Sequence, residues 1–182
     1  TLLEVNASKN DKDFIMAVNW KKAAELVKAG KGRKVTTEYA HNTWDESTHS
    51  ATSTMKKEVV VLSVEDMKDA MFMIPCPKSP HGCDVDPTGE YIIGSGKLAA
   101  LIPVFSFDKM IKAIADKNFA GEYDGVQVIK YEAALHGEVQ KPGLGPLHTE
   151  FDGKGNAYTS MFVSSEVVKW NIKDLKVLDR QP

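Results

Sequence analysis

Two histidines, His81 and His148, stand in segments of similar composition. Each lies ten residues before a tyrosine, with a turn rich in glycine and in aspartate or asparagine between them. Imidazole suits borderline metals such as copper and zinc, and repeated units can bring their histidines to one point. The spacing therefore predicts a metal site at which these two rings meet.

The strands that would position these rings recur along the chain. Four apolar runs each lead to an asparagine or serine that is followed by an apolar residue and charged residues, at Asn19, Ser63, Ser106 and Asn171. The intervals between these markers are 44, 43 and 65 residues. A period in the low forties is typical of a four-stranded propeller blade, for which the usual range is about 40–50 residues. The long interval then contains an insertion.

Helix-forming residues come after three of these runs, at residues 21–29, 64–72 and 107–117. We interpret them as short helices or helical turns in the connections. A βαβ fold with a parallel sheet would show the same alternation and remains an alternative. The turns at residues 86–89 and 152–156 favour antiparallel hairpins. We therefore predict an all-β fold, part of a β-propeller with about four blades present and short helical connections.

Composition limits the function classes without naming one. The chain has 182 residues, of which 42% are hydrophobic and 26% charged, and its net charge of −2 gives no reason to expect nucleic acid as a partner. No apolar run approaches the roughly 18 residues of a membrane helix, and no signal-peptide pattern opens the chain. Four blades would leave a propeller open at both edges, so we expect a fragment of a larger protein.

Several strings of the sequence closely resemble nitrous-oxide reductases. They are Pro80-His81-Gly82, the turn at residues 86–91, and residues 94–98, 143–149, 151–159 and 167–171. With weaker similarity upstream, the resemblance covers most of the chain.

The resemblance implies a seven-bladed propeller whose hub holds a tetranuclear copper-sulfide cluster through seven histidines. His81 and His148 correspond to two of these ligands. Residues 1–182 would be a partial propeller domain, because the other five histidines and a C-terminal cupredoxin domain with a dinuclear copper centre have no counterpart here. The fragment alone is then expected to be inactive.

The reaction implied is the reduction of N2O to N2 and water with two electrons and two protons, the last step of denitrification. The resemblance also implies a periplasmic location, a cytochrome c or cupredoxin as electron donor, and a head-to-tail homodimer. A non-enzymatic propeller that binds a protein partner is the alternative. It predicts no copper requirement and tolerance to loss of the imidazoles.

Two segments depart from the better-known family members. The link between the two histidines, residues 120–142, is longer, which resembles a divergent lineage of the enzyme, and its charges and glycines suggest an exposed excursion from a blade. The family's calcium site is also altered, since Ser79 and Asn42 stand at two ligand positions. Tyr39 and Glu58 remain candidate calcium ligands, with Asp45 and Glu46 as further oxygen donors. A solvated acidic loop is the alternative.

The remaining polar and aromatic residues carry weaker signals. We interpret Cys76 and Cys83 as buried free thiols, although a disulfide would be permitted in an oxidising periplasm. The other three histidines, His41, His49 and His136, are interpreted as solvated loop residues. Lys169 and Trp170 should lie on opposite faces of a strand, with Trp170 packing in the core.

Overall fold

The computed structural model describes residues 13–182, apart from the side chains of residues 39–45 and 50–54. Strands account for 52% of the structure and helices for 14%. Ordinary globular domains contain about 20–25% strand. The all-β fold predicted from the sequence is therefore confirmed. No helix within residues 13–182 is long and apolar enough to cross a membrane.

The described elements occur along the chain in this order: β1 (Asp13–Val18), α1 (Trp20–Lys28), β2 (Arg33–Asp45), β3 (Ser50–Val61), β4 (Met71–Cys76), β5 (Pro80–Val85), β6 (Tyr91–Gly96), β7 (Leu101–Ser106), α2 (Phe107–Ala115), β8 (Phe119–Tyr123), β9 (Val126–Ile129), α3 (Tyr131–Ala134), β10 (Leu135–Gln140), β11 (Pro146–Phe151), β12 (Asn156–Met161), β13 (Glu166–Asn171) and β14 (Lys176–Gln181).

The chain forms two compact units. The smaller unit, residues 18–71, contains α1 and a long antiparallel ribbon in which β2 pairs with β3 from Arg33 opposite Val61 to Asp45 opposite Ser50. The segment 64–72 was predicted as a short helix or helical turn. Residues 64–70 form successive turns, and Met71 and Phe72 begin β4.

The larger unit, residues 13–17 and 72–182 of the described chain, contains three four-stranded sheets. Sheet 1 has the strand order β1-β4-β9-β8, sheet 2 the order β10-β7-β6-β5, and sheet 3 the order β11-β12-β13-β14. Sheets 2 and 3 are antiparallel throughout. Among the described pairings, only β4 with β9 is parallel, so the antiparallel prediction is the better description.

Sheet 2 is covered on both faces, which explains the nearly continuous apolar sequence of β7. Ile102 and Val104 pack with Val168 and Trp170 of sheet 3 in one core cluster. Phe105, on the opposite face of β7, belongs to a second cluster with residues of sheet 1 and α2. Since successive side chains of a strand point to opposite faces, a strand buried on both sides requires apolar residues at every position.

The repeated asparagine and serine markers have one structural role. Each side-chain oxygen accepts a hydrogen bond from a backbone N–H three residues later, which caps the helix or turn after the strand. The pairs are Asn19 with Lys22 at 3.0 Å, Ser63 with Asp66 at 3.1 Å, Ser106 with Lys109 at 3.1 Å and Asn171 with Asp174 at 3.0 Å. The sequence repeat therefore marks the capping residue at the end of each strand. Two of these lead into α1 and α2, as predicted.

The segment 120–142 is not a simple exposed excursion. Its strand β9 and most of β8 complete sheet 1, and its strand β10 is the outer strand of sheet 2. Val126, Val128, Ile129, Ala134 and Val139 are buried. Charged residues that suggested exposure, such as Glu122, Lys130 and Glu132, are exposed, so the segment combines exposed charged residues with buried apolar ones.

Candidate metal centre

His81 and His148 are brought together, as the sequence predicted. Their ring centroids lie 5.1 Å apart and the ring planes are inclined by 63°. His81 belongs to β5 and His148 to β11, which are edge strands of sheets 2 and 3. Both residues are exposed. Two accessible imidazole rings therefore lie within one small region of the surface.

Both histidines lie in irregular steps of their strands. In β5 the register moves from Pro80 opposite Gly96 to Cys83 opposite Gly94, so an extra residue on β5 is accommodated in this step. In β11 the same step separates Pro146 from Thr149. Such bulges redirect side chains and are frequent beside functional sites.

The two histidines are not at matching positions, however. His81 is the first residue after the proline that begins its bulge, whereas His148 is the second. The equal spacing to Tyr91 and Tyr158 is therefore not a structural equivalence. In the register, Tyr91 corresponds to Asn156, since they pair with the capping residues Ser106 and Asn171.

Asp84 connects the two strands at this site. Its Oδ2 accepts a hydrogen bond from the backbone N–H of Thr149 at 2.7 Å, and its Oδ1 lies 3.2 Å from Nδ1 of His148. The Asp84 side chain is only 20% exposed, against 61% for His148. A carboxylate on Nδ1 leaves Nε2 available as a metal donor. Sequence reasoning missed Asp84, although it lies three residues after His81.

Gly82 allows β5 and β11 to approach each other. A Cβ at this position would lie 2.1 Å from the backbone oxygen of Leu147, which is the neighbour of His148. No side chain can occupy that space without moving one of the strands. The glycine after His81 is thus a condition for the short distance between the rings.

A buried hydrogen-bond network connects β11 to β12 and β13. Thr149 Oγ1 lies 2.8 Å from Thr159 Oγ1, and the indole N–H of Trp170 donates to Thr159 at 2.9 Å. Thr159 and Trp170 are fully buried. Trp170 is therefore a core residue, as predicted. Lys169 on the same strand places its ammonium 5.5 Å from the ring centroid of Tyr158.

The other predicted histidines differ in their surroundings. His49 is exposed in the β2–β3 turn, as expected. The side chain of His41 lies outside the described residues. His136 is not a solvated loop residue, because it lies in β10 against the ring of Tyr91 and its Nε2 is buried without a hydrogen-bond partner. His136 is the extra residue in the register shift between Leu135 and Gly137.

The calcium prediction is only partly within the described residues. Glu58 is exposed on β3 and forms an ion pair with Lys34 at 2.8 Å. The side chain of Tyr39 lies outside the described residues, as does that of Asp45. Ser79 has a φ of 59° and donates its backbone N–H to Asp13 at 2.8 Å. The calcium site stays a prediction.

Both cysteines are free thiols, as predicted, but neither is fully buried. Cys76 is half-buried and Cys83 is exposed. Desolvation raises the pKa of Cys76 to about 12, with a further contribution from Cys83. Desolvation and the carboxylate of Asp84 raise the pKa of Cys83. Both groups are therefore neutral thiols near neutral pH.

Comparison with known proteins identifies the relatives of this chain. No family model matches it. It is 36% identical over 169 residues to the nitrous-oxide reductase of Pseudomonas fluorescens, which covers 91% of this chain and 22% of that protein. It is 43% identical over 112 residues to the enzyme of Stutzerimonas stutzeri, which covers 60% of this chain and 16% of that protein.

The chain belongs to the nitrous-oxide reductase family. A third relative, the nitrous-oxide reductase of Cupriavidus necator, is 41% identical over 109 residues, or 59% of this chain. The chain spans between 15% and 22% of the length of these relatives.

The donor set of this chain fits part of a copper site. Two imidazoles suit copper, and the carboxylate beside His148 is a common partner of metal-bound histidine. Among the described residues there is no group of three or more histidine, cysteine or acidic side chains arranged to hold a metal ion. The pair therefore offers two candidate nitrogen ligands and not a closed site.

Proposed function

We propose that this chain forms part of a nitrous-oxide reductase and that His81 and His148 are two ligands of its copper-sulfide cluster. The enzyme would reduce N2O to N2 and water with two electrons and two protons. The observation that carries the proposal is the imidazole pair, 5.1 Å apart, in a chain 36–43% identical to nitrous-oxide reductases.

The copper cluster, when bound, would supply the electrons and the back-donation that activate the inert N2O molecule. The residues of this chain would bind and orient. His81 and His148 would act as neutral nitrogen donors and would not transfer protons.

Asp84 would set the tautomer of His148. An Nδ1–H that donates to Oδ1 of Asp84 leaves the lone pair of Nε2 free. Because Asp84 also accepts the N–H of Thr149, the carboxylate is held in place by the backbone of the strand that carries the ring. The imidazole is thereby preorganised for a metal.

We further propose that sheets 1, 2 and 3 are successive blades of a β-propeller. Sheet 2 is covered on both faces by its neighbours, which is the environment of a blade inside a propeller. Strands β5 and β11 meet through Asp84 and Gly82. They would be the innermost strands, so that both histidines face the central channel.

The family resemblance alone supports the rest of the assembly. It implies a C-terminal cupredoxin domain with a dinuclear copper centre, a homodimer, a periplasmic location and a cytochrome c or cupredoxin donor. A calcium ion held in part by Tyr39 and Glu58 belongs to the same set of proposals. Nothing in the described residues favours the non-enzymatic binding module.

The test is to measure copper, acid-labile sulfide and N2O consumption in the complete protein that contains this chain. We expect copper and sulfide in the parent, and loss of cluster and activity in His81→Ala and His148→Ala. His49→Ala is the matched control, because this histidine is exposed in a turn of the smaller unit. It should retain copper, sulfide and turnover.

The outcomes separate the alternatives. Unchanged copper, sulfide and turnover in both site variants would refute the ligand assignment. A parent that contains no copper after copper-replete expression with its maturation factors would refute the reductase function and favour the binding module. Circular dichroism of each variant shows whether cluster loss is accompanied by unfolding.

A further inference from the structure

Cys76 and Cys83 occupy neighbouring places in the larger unit. Cys76 is the last residue of β4 in sheet 1, and Cys83 lies in β5 of sheet 2. Both are free, and the Cys83 side chain is the more accessible of the two. Neither thiol has a role in the proposed cluster, whose protein ligands are imidazoles.

Gly94 of β6 relates the two thiols geometrically. Cys83 is paired with Gly94 across the β5–β6 ladder, so a side chain on Gly94 would point to the same face of the sheet as Cys83. A Cβ built on Gly94 would lie 3.2 Å from Sγ of Cys76. The Cys76 sulfur therefore occupies the space above Gly94, beside Cys83.

The shared neighbour Gly94 brings the two thiols close to each other. Directly opposed Cβ atoms in an antiparallel pair are about 4.5–5.5 Å apart. The sulfur of Cys76 contacts the position where a Gly94 side chain would begin, so it lies on the same face of sheet 2 as the side chain of Cys83. The electrostatic influence of Cys83 on the Cys76 thiol is a further sign of their proximity.

We propose that Cys76 and Cys83 form an intramolecular disulfide when the protein meets a disulfide oxidant. The oxidant, a small or protein disulfide RSSR, first reacts with the exposed Cys83: Cys83–SH + RSSR → Cys83–S–SR + RSH. Cys76 then displaces the second thiol: Cys76–SH + Cys83–S–SR → Cys76–S–S–Cys83 + RSH. Two protein thiols are oxidised, and one disulfide is reduced to two thiols.

The bond would join the end of β4 to the strand that carries His81. Cys83 lies two residues after His81, at the point where the bulge of β5 ends. The cross-link would thus restrain the conformation of β5 beside the imidazole pair. It would form without any change in the strand order.

Trypsin provides a direct readout, because Lys78 lies between the two cysteines. Complete digestion places Cys76 in the peptide of residues 69–78 and Cys83 in the peptide of residues 79–97. The full-length protein is incubated with glutathione disulfide at pH 8, its remaining thiols are blocked, and it is digested without reductant. We expect a mass loss of about 2 Da in the intact protein and a linked pair of these peptides.

Two variants control the experiment. Cys76→Ser should form a stable glutathione adduct on Cys83, and Cys83→Ser should form no linked peptide. Cys76→Ala replaces Cys76→Ser if the serine variant does not fold. A lasting glutathione adduct on Cys83 of the parent would overturn the proposal. Two free thiols, or a bond between two protein molecules, would overturn it equally.

Discussion

The carboxylate of Asp84 on β5 accepts the backbone N–H of Thr149 on β11 at 2.7 Å. The second oxygen of the same carboxylate faces Nδ1 of His148 at 3.2 Å. One side chain therefore joins the two edge strands and orients an imidazole. The hydrogen bond to Thr149 should contribute to the stability of the strand contact, and the interaction with His148 should contribute to metal affinity. Mutations can measure these two effects separately.

Asp84→Asn should weaken copper binding more than it weakens the fold. The amide oxygen can still accept from Thr149, but the carboxylate that polarises His148 is lost. We expect copper affinity to fall about 10–100-fold, measured by competition with a chelator. Asp84→Ala should in addition lower the free energy of unfolding by about 1–3 kcal/mol. Unchanged copper affinity in Asp84→Asn, matching the exposed-site control Asp179→Asn, would contradict the orienting role.

Gly82→Ala should destabilise the contact between β5 and β11. The new methyl group would lie 2.1 Å from the backbone oxygen of Leu147, so a strand must move. We expect a loss of about 2–3 kcal/mol in the free energy of unfolding, measured with urea.

Gly89→Ala is the control for Gly82→Ala, because nothing lies within 4 Å of its added Cβ and only its φ of 79° is unfavourable. That strain costs about 1 kcal/mol. Equal losses in the two variants would show that the strand contact tolerates a side chain.

Thr159→Val should destabilise the fold, because Thr159 joins the hydroxyl of Thr149 to the indole of Trp170. The change leaves the indole N–H of Trp170 and the hydroxyl of Thr149 without their buried partner. We expect a loss of about 1–3 kcal/mol in the free energy of unfolding, measured by chemical denaturation.

A double-mutant cycle with Trp170→Phe isolates the indole hydrogen bond. Phenylalanine has no N–H, so Thr159→Val should cost less in that background. Strict additivity of the two substitutions would mean that the bond contributes nothing measurable.

Cys76 should react slowly with alkylating reagents in the folded protein. Its pKa is raised from 9.0 to about 12 because burial disfavours the thiolate. At pH 8 its thiolate fraction, and hence its rate with iodoacetamide, should be roughly a thousandfold below that of the unfolded chain. Mass spectrometry of the tryptic peptide of residues 69–78 gives the rate, and the urea-unfolded protein is the reference.

The sign of the corresponding pH effect is set by the raised pKa. The folded state binds the thiol proton more tightly than the unfolded state does, so this contribution to stability is complete below pH 9. It decreases between pH 9 and pH 12. A rate for folded Cys76 equal to that of the unfolded chain would contradict this shift.

Local sequence determined much of the fold. Asn19, Ser63, Ser106 and Asn171 each cap the helix or turn at the end of a strand, and capping depends on atoms only three residues away. The all-β class and the helices α1 and α2 were therefore readable from the chain. The turns at 64–70 were anticipated as a short helix or helical turn over 64–72, of which the last two residues belong to β4.

The two histidines were also visible in the sequence, but the reason for their meeting was not. Their spacing from Tyr91 and Tyr158 suggested equivalence, whereas the register places them one position apart in two bulges. A bulge depends on pairing with another strand, which no local pattern encodes.

The tertiary structure alone decided the rest of the site. Asp84 reaches Thr149 and His148, more than sixty residues away in the chain. The position of segment 120–142 likewise depends on long-range strand pairing, since its strands complete sheets 1 and 2. Residue types determined which groups could bind a metal, and long-range strand packing determined which of them meet, because such contacts join positions that the sequence keeps far apart.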